Sequence, residues 1–287
     1  METRLAHWKQ EWTMPSGLHI CGYSRAAYRT GFYIKNLDIM LDAGPQNFNK
    51  PTHIFITHAH LDHIADLPYT MIGDEGGNHV FNVYLPDECK GDYLDNFIKS
   101  PFEINAIEKI KTSDWYNAIG IKGKSTFRLN FKKAPYDVTT FDCDHSVPTV
   151  SYAFNAIKNK LKDEYRGLPG NEIGKLRKEN VKVTYEVSEP QFVYVCDTTT
   201  KVLEDNPFIL DYPIVIIECT FLEPDHKDQA DVTKHIHWND LKPYVMKHKD
   251  IIFMLIHFSL RYKDEDIDAF FKKEMEENNI HNLKVWV

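Results

Sequence analysis

Four metal-ligating side chains follow one short apolar strand, and they constrain this chain more than any other feature. Residues 58–63 read HAHLDH, an HxHxDH motif directly after a buried strand. Imidazole nitrogens and carboxylate oxygens are ligands that suit zinc. A strand-to-helix turn can aim alternate residues in opposite directions. His58 and His60 can therefore bind one ion, and Asp62 and His63 can bind a second.

Two ions need more ligands than this motif provides, and three later residues are suitable candidates. His145, Asp197 and His257 each follow a predicted strand. Asp197 could bridge the ions with its two oxygens. The predicted ligand set is His58, His60 and His145 around one ion, Asp62, His63 and His257 around the other, and Asp197 between them. Two divalent ions activate water and clamp a phosphodiester, so this set predicts hydrolysis.

Short apolar runs alternate with helical patterns along the chain, which indicates an α/β or mixed class. The predicted strands cover residues 32–34, 39–41, 53–57, 83–85, 138–141, 149–154, 192–195, 214–217 and 251–256. The predicted helices cover residues 87–99, 239–248 and 264–276. Asp42 precedes the motif strand and is either a hydrogen-bond acceptor for a ligand's distal N–H or a turn residue ahead of Gly44.

Composition and the chain start indicate an intracellular protein. The five cysteines are odd in number and show no CxxC spacing, which argues against a disulfide framework or a zinc knuckle. Glu2 and Glu11 lie in an N-terminal segment without an apolar run, so we expect no secretory or transit signal. No window reaches the length of a membrane span. We expect the cytoplasm, or also the nucleus in a eukaryote, and not secretion.

The charge distribution gives two opposing indications about nucleic acid. The formal net charge is −8, whereas binding to a phosphate backbone comes mainly from Lys and Arg. Residues 156–182 nevertheless hold eight basic side chains against four acidic ones. The basic residues are Lys158, Lys160, Lys162, Arg166, Lys175, Arg177, Lys178 and Lys182. This stretch is predicted to be an irregular insertion that either grips a polyanion or is only a solvated surface segment.

Together these motifs resemble the metallo-β-lactamase superfamily and, within it, tRNase Z. The tail HFSLRY at residues 257–262, ECTF at 218–221 and DTT at 197–199 are similar to tRNase Z motifs. GLPGNEI at residues 167–173 is closest to the short plant-type enzymes. The resemblance implies a four-layer αβ/βα sandwich, with residues 1–287 forming one catalytic domain that carries the basic insertion at about 156–182.

The resemblance also implies an activity and its participants. The expected reaction is removal of the 3′ trailer of precursor tRNA, with two Zn²⁺ ions, or Mn²⁺ or another divalent ion in their place. A homodimer is expected, in which the basic stretch of one subunit presents tRNA to the other. The substrate-binding residues implied are Lys158, Lys160, Lys162, Arg166, Ser259 and Arg261.

The family uses a Glu and His pair for proton transfer, and it implies a catalytic role for Asp62. Glu218 matches the Glu of this pair. The His is either His235 or His237, and counting back from His257 without gaps favours His235. His237 precedes Asn239, a residue type common at helix N-caps.

Several positions depart from the family pattern, and other functions compete. Residues 21–25 keep one glycine of the family's first motif, and Ser151 and Cys196 stand where glycines are usual. The first alternative is a hydrolase of the same fold acting on a β-lactam, a thioester or another phosphodiester. The second is a non-catalytic binding module, which is disfavoured because no predicted ligand is missing.

Overall fold

Two seven-stranded sheets form the centre of the protein. The structure, a computed structural model, describes residues 7–47, 49–72, 80–106, 115–132 and 134–287. Strands of the first sheet are β1 (Glu11–Thr13), β2 (His19–Arg25), β3 (Arg29–Ile34), β4 (Ile39–Leu41), β5 (His53–Phe55), β6 (Phe81–Pro86) and β7 (Tyr116–Ile121). Strands of the second are β8 (Ser125–Phe131), β9 (Ala134–Asp142), β10 (Val150–Leu161), β11 (Thr184–Val195), β12 (Ile214–Glu218), β13 (Ile252–Ile256) and β14 (Leu283–Val285).

The two sheets follow the same plan. In each sheet the strands lie in sequence order, from β1 to β7 and from β8 to β14. The first four strands of each sheet pair antiparallel, and the last four pair parallel. Parallel strands point their carboxyl ends to one edge of a sheet, where side chains that follow them can meet.

Most of the helices pack on the faces of the two sheets, whereas the helix at Gly170–Lys178 buries no residue against either of them. They are α1 (Leu61–Ile64), α2 (Leu67–Ile72), α3 (Asp92–Ala106), α4 (Gly170–Lys178), α5 (Lys201–Asp205), α6 (Lys227–Thr233), α7 (Trp238–Lys247) and α8 (Asp264–Asn278). One apolar core joins the two sheets, with rings such as Phe55, Tyr152 and Phe192. A second core packs α2 and α3 on the first sheet, and a third packs α5, α7 and α8 on the second. The predicted four-layer sandwich is therefore confirmed.

Local patterns predicted most elements correctly, and one helix start was wrong. Each of the nine predicted strands falls on an observed one, whereas β1, β2, β7, β8 and β14 were missed. The helix predicted from residue 87 begins only at Asp92, after a separate 3₁₀ turn at Asp87–Cys89. Gly91 has φ +103 and Lys90 is extended, so the backbone cannot continue helically through them.

Residues 157–189, which we call the arm, differ from the irregular insertion that was predicted. β10 continues to Leu161 and pairs with β11 down to Thr184. Its other neighbour, β9, stops pairing at Ala156, so in the described chain the ribbon beyond this point has no second partner strand. Helix α4 lies at the end of the arm and includes Gly170 and Gly174, although glycine disfavours helices. The pairing of β10 with β11 therefore gives this segment regular structure, which its composition alone did not predict.

Within the described residues, no helix is both long enough and apolar enough to cross a bilayer. Glu2, which was used to argue against a leader sequence, lies outside these residues.

Candidate metal centre

Strand ends and sharp turns position the predicted ligands. His58 and His60 follow β5, and Asp62 and His63 lie on the short α1. Asp197 follows β11 with φ 50, and His257 follows β13 with φ 63. Non-glycine residues rarely adopt this left-handed conformation, and such strain is concentrated at functional sites. Here it turns each side chain out of its strand direction, toward the junction between the sheets.

The first cluster contains His58, His60, His145 and one oxygen of Asp197. His58 Nε2 lies 3.0 Å from His60 Nδ1, and His145 Nε2 lies 3.4 Å from the same atom. Asp197 Oδ2 is 3.5 Å from His58 Nε2 and 3.7 Å from His145 Nε2. The structure thus brings together all three histidines predicted for one ion, including His145, which is distant in sequence.

The second cluster contains Asp62, His63, His257 and the other oxygen of Asp197. His63 Nε2 and His257 Nε2 are 3.3 Å apart. Asp62 Oδ2 lies 3.6 Å from His63 Nε2 and 3.5 Å from His257 Nε2. Asp197 Oδ1 lies 3.5 Å from His63 Nε2 and 3.3 Å from His257 Nε2. Asp197 therefore faces one cluster with each oxygen, as a bridging carboxylate would.

These spacings fit tetrahedral zinc. With zinc bonds of about 2.0–2.1 Å, neighbouring ligand atoms of a tetrahedron lie about 3.3 Å apart. The distances in the two clusters, 3.0–3.7 Å and 3.3–3.6 Å, span this value. Cys196 adds a thiol beside the second cluster, with Sγ 3.1 Å from Asp197 Oδ1. The donor set of nitrogens and carboxylate oxygens can hold two divalent ions.

Asp42 orients one predicted ligand, His63, through a hydrogen bond to the Nδ1 atom of its ring. It is fully buried, and its Oδ2 accepts from His63 Nδ1 at 2.9 Å and from the Tyr194 hydroxyl at 2.7 Å. Its Oδ1 accepts from the Thr57 backbone N–H at 2.7 Å. The bond to Nδ1 leaves Nε2 of His63 facing the second cluster, which fixes the ring for ligation. The geometry thus matches the acceptor interpretation of Asp42 rather than that of a turn residue.

Carboxylates raise the pKa values of the nearby histidines, whereas burial and neighbouring histidines lower them. Burial, reinforced by the neighbouring His63, lowers the pKa of His58 well below its ordinary value, so this ring is neutral. Burial also acts to lower the pKa of His63, but Asp197 and Asp42 outweigh it and raise that pKa to about 10. The carboxylates thus hold positive charge at this point. A divalent cation among them would supply that charge and displace the proton.

Glu218, which is fully buried, and His235, which is partly buried, form a pair beside both clusters. Glu218 Oε1 is 2.9 Å from His235 Nδ1 and accepts from the Thr198 backbone N–H at 2.7 Å. The His235 ring centroid lies 5.1 Å from that of His145 and 5.5 Å from that of His257. Burial lowers the pKa of His235, but Glu218 outweighs it and raises the pKa to about 9. His235 is therefore protonated at neutral pH.

His237 has a different environment. Its Nδ1 accepts from the Asn239 backbone N–H at 3.1 Å, which caps α7, and its Nε2 lies 2.8 Å from the Glu223 carbonyl. Both ring nitrogens are thereby used by the backbone. Of the two candidates, the structure brings His235 to Glu218.

Two supporting residues were not identified from sequence. The Thr220 hydroxyl donates to Glu218 Oε2 at 2.6 Å and lies 3.2 Å from His257 Nδ1. It belongs to the ECT triplet, which was the available signal. Tyr194, which bonds Asp42, sits in a wholly apolar strand stretch and gave no signal.

The residues predicted to bind substrate lie in two separate places. Arg261 is exposed, its guanidinium lies 5.1 Å from the Phe221 ring centroid, and its Nε donates to Ser259 Oγ at 3.1 Å. The Arg261 guanidinium, which Phe221 and Ser259 keep in place, is close to the metal clusters, because Phe221 also contacts the His235 ring. The remaining four residues, Lys158, Lys160, Lys162 and Arg166, lie in the arm.

Four of the eight cations of the arm are paired with acids of the arm itself. Lys158 and Lys160 both reach Glu189, at 2.6 and 3.0 Å. Arg166 pairs with Asp163 at 2.9 Å and Lys162 with Glu164 at 3.6 Å. Glu186 and Glu189 belong to the returning strand, so the arm holds eight basic and six acidic side chains. Its excess of positive charge is smaller than the stretch 156–182 indicated.

A cavity of about 580 Å³ adjoins the first cluster. His145 forms part of its wall, together with Ser146, Lys122 and Thr149. Glu88 and Asp142 also line the cavity, and Lys122 is paired with Asp87 at 2.9 Å, so the cavity gives the metal clusters an open neighbouring space without an excess of positive charge.

Comparisons with known proteins agree with this architecture. No family model matches the chain. A tRNase Z of Arabidopsis thaliana is 28% identical over 258 residues, which is 88% of this chain and 89% of that protein. A ribonuclease Z of Methanocaldococcus jannaschii is 26% identical over 273 residues, covering 87% of this chain and 81% of that protein. The predicted sequence resemblance is confirmed.

Solved structures show the same fold. A metallo-β-lactamase fold protein, YhfI from Bacillus subtilis, has a TM-score of 0.56 at 15% identity, covering 92% of each chain. Human tRNase Z, short form, has a TM-score of 0.52 at 17% identity, covering 84% of this chain and 92% of that one. At such identities the likeness establishes the fold.

Proposed function

We propose that this chain, which has the metallo-β-lactamase fold and is similar to plant and archaeal tRNase Z, is a metal-dependent endoribonuclease that removes the 3′ trailer of precursor tRNA. The single observation that carries the proposal is the convergence of two ligand clusters, shared through Asp197, with the Glu218–His235 pair. Relatives matched over most of the chain are named tRNase Z or ribonuclease Z. They favour this activity over hydrolysis of a β-lactam or a thioester.

Two zinc ions are the proposed cofactor, although Mn²⁺ or another divalent ion would also find oxygen and nitrogen ligands here. One ion would be held by His58, His60 and His145, the other by Asp62, His63 and His257, and both by Asp197. Bound there, the ions would lower the pKa of water and stabilise charge on the phosphate oxygens. The chain itself sets the spacing and orients His63 through Asp42.

Glu218, His235 and Asp62 are the proposed catalytic residues. His235 Nδ1 is tied to Glu218, so Nε2 is the atom free to give a proton to the leaving oxygen. Glu218 is held by the Ile236 backbone N–H and the Thr220 hydroxyl, so it cannot turn away as the charge on His235 changes. Asp62 is fixed by the Ala27 backbone N–H at 2.9 Å and would contact both ion and water.

The proposed substrate-binding groups fit a long polyanion. Arg261 would bind phosphate next to the cleaved bond, because Ser259 and the Phe221 ring already hold its guanidinium. The arm would contact the tRNA body, farther away. We further propose a homodimer, by resemblance to tRNase Z, in which the arm of one subunit serves the site of the other. A monomeric mass by light scattering at full activity would count against the dimer.

The proposed compartment is the cytoplasm, with the nucleus as a second place in a eukaryote. All five cysteines are free, which suits a reducing environment.

The decisive experiment compares substrates on one metal-analysed preparation. We expect about two zinc ions per chain and cleavage of precursor tRNA at the 3′ side of its acceptor stem. Chelation should abolish cleavage and zinc should restore it. A chromogenic β-lactam and a thioester serve as parallel substrates. Their efficient hydrolysis, with precursor tRNA left intact, would overturn the proposal in favour of another hydrolase.

A further inference from the structure

Three aromatic rings form a surface cluster that the proposed mechanism does not use. The cluster, which we call the aromatic platform, consists of His7, Tyr23 and Tyr28. The His7 and Tyr23 ring centroids are 4.7 Å apart, and Tyr28 lies 5.9 Å from each. Tyr28 is 42% exposed, and the other two are partly exposed. Among the described residues, none of the three belongs to an apolar core.

The platform is fixed directly beside the second metal cluster. It lies at the turn between β2 and β3, where the Ala27 N–H bonds Asp62 Oδ2 at 2.9 Å. The Ala26 N–H bonds the Phe258 carbonyl, one residue after His257, at 3.1 Å. Tyr28 is thus one residue from a backbone group that contacts a proposed ligand.

Buried Arg25 keeps this turn in place. Its side chain is 4% exposed and its Nη1 donates to Asp264 Oδ1 at 2.6 Å. Its Nη2 donates to the Ser259 carbonyl at 2.9 Å. These bonds tie the turn to the loop that carries His257 and to the start of α8. The position of Tyr28 relative to the metal centre is therefore set before substrate arrives, which lowers the entropic cost of binding.

A cation accompanies the rings. The Arg29 guanidinium lies 5.6 Å from the Tyr28 ring centroid, and its Nη1 donates to the Tyr28 carbonyl at 2.9 Å. Aromatic rings beside an arginine are the combination with which proteins bind unpaired nucleotides, because the base stacks and the phosphate pairs with the cation. An aromatic surface for a protein partner would not require the cation or the contact with Asp62.

We propose that the aromatic platform stacks one unpaired nucleobase of the RNA, that of a nucleotide flanking the cleaved phosphate, with Tyr28 as the main contact. This inference rests on the proposed function and adds a specificity-determining site to it. Arg29 binds the adjoining phosphate. The base is read by its flat surface, so any of the four bases is accepted, whereas a nucleotide without a base is not.

The test is a double-mutant cycle between Tyr28 and the RNA. Wild type, Tyr28→Leu and Tyr28→Phe are assayed on precursor tRNA and on two versions that lack the base on one or the other side of the cleaved bond. Tyr28→Leu keeps an apolar, though shorter, side chain and removes the ring. We expect it to lower kcat/KM about tenfold on intact RNA, in line with the usual effect of losing one stacked base. Tyr28→Phe should match wild type.

The coupling between the Tyr28 substitution and the loss of a base tests whether the two groups contact each other. If the platform stacks the base, one of the two abasic substrates loses about tenfold with wild type and loses no more with Tyr28→Leu. Penalties that multiply at both positions would overturn the platform while leaving the proposed function intact, as would an equal loss in Tyr28→Phe. A wild-type enzyme that cannot cleave precursor tRNA at all would overturn both. Metal content and thermal melting of each variant identify a loss caused by misfolding.

Discussion

The metal centre and the arm illustrate two opposite ways of holding polar side chains. In the centre, His58, His63 and Glu218 are fully buried, and each is fixed by other polar groups. In the arm, Lys158 and Lys160 have side chains 58% and 48% exposed, and their ion pairs lie in solvent. Interactions in the buried site are strong and insensitive to salt, whereas those of the exposed arm are weak and screened.

Because of this difference, the buried centre is suited to catalysis and the exposed arm to binding a polyanion. A buried cluster with fixed geometry can stabilise a transition state, because its dipoles and ligands need not reorganise. Exposed cations on a ribbon attract a polyanion at long range and tolerate changes of register. Damage to the centre should therefore reduce kcat and metal content, whereas damage to the arm should raise KM and alter its salt dependence.

The largest expected effect is that of Asp197→Ala. Both clusters lose a ligand, so we expect loss of the second ion and of precursor cleavage together. Elemental analysis after zinc reconstitution and a cleavage assay check this, with thermal melting to confirm folding. Two ions retained with near wild-type activity would show that the clusters do not share Asp197.

The next effect concerns proton transfer without loss of metal. Glu218→Gln and His235→Ala should each lower kcat about 10²- to 10⁴-fold, the range for a general acid or base, while both ions stay bound. Single-turnover cleavage with metal analysis measures this. The reason is that Glu218 is the main group that raises the pKa of His235, with a further contribution from Asp197.

His237→Ala is the matched control for this pair. His237 caps α7, so the variant should lose about 1 kcal/mol of unfolding free energy and keep its kcat. If His237→Ala instead lost activity as His235→Ala does, the assignment of His235 would be wrong.

A smaller effect is expected for Asp42, which bonds the proposed ligand His63 and would not itself contact an ion. Asp42→Asn keeps the shape of the side chain but removes the charge that orients His63. Zinc affinity should fall about 10- to 100-fold, as is usual for such outer partners of a ligand. Competition with a chromophoric chelator measures it. Unchanged affinity would mean that Asp42 serves only the turn after β4.

The smallest effect per residue is expected in the arm, where it also depends on salt. Reversing Lys158, Lys160 and Lys162 to Glu should raise KM for precursor tRNA and reduce the salt slope by about one unit for each phosphate that the arm no longer binds. Hydrolysis of bis(p-nitrophenyl) phosphate, which meets only the metal centre, should stay near wild type. Equal losses on both substrates would show that the arm supports the fold.

Two variants sharpen the prediction for the arm. Glu189→Gln frees Lys158 and Lys160 from their shared acid and should lower KM. Reversal of Lys175, Arg177 and Lys178 on α4 should raise KM more than reversal on the strand, because within the described chain no acid pairs with them. No change in KM from any of these variants would mean that the arm is only a solvated ribbon.

Much of the site could be predicted from sequence because metal ligation is specific to residue type. Few side chains can ligate zinc, and their position after apolar strands is visible in a short window, as with His58 after β5 or His257 after β13. The choice between His235 and His237 could not be made in this way. Both lie close to the start of α7, and only the packing against β12 places His235 rather than His237 at Glu218.

The sequence by itself determined the ligand types, nine of the fourteen described strands and the position of the basic stretch, because these depend on residue chemistry and on local periodicity. Only the tertiary structure decided that the oxygens of Asp197 face different clusters, since the left-handed turn after β11 sets that direction. It also decided the charge of the arm. Glu189 pairs with both Lys158 and Lys160 from the opposite strand, and such a pairing across about 30 residues forms only when the two strands come together.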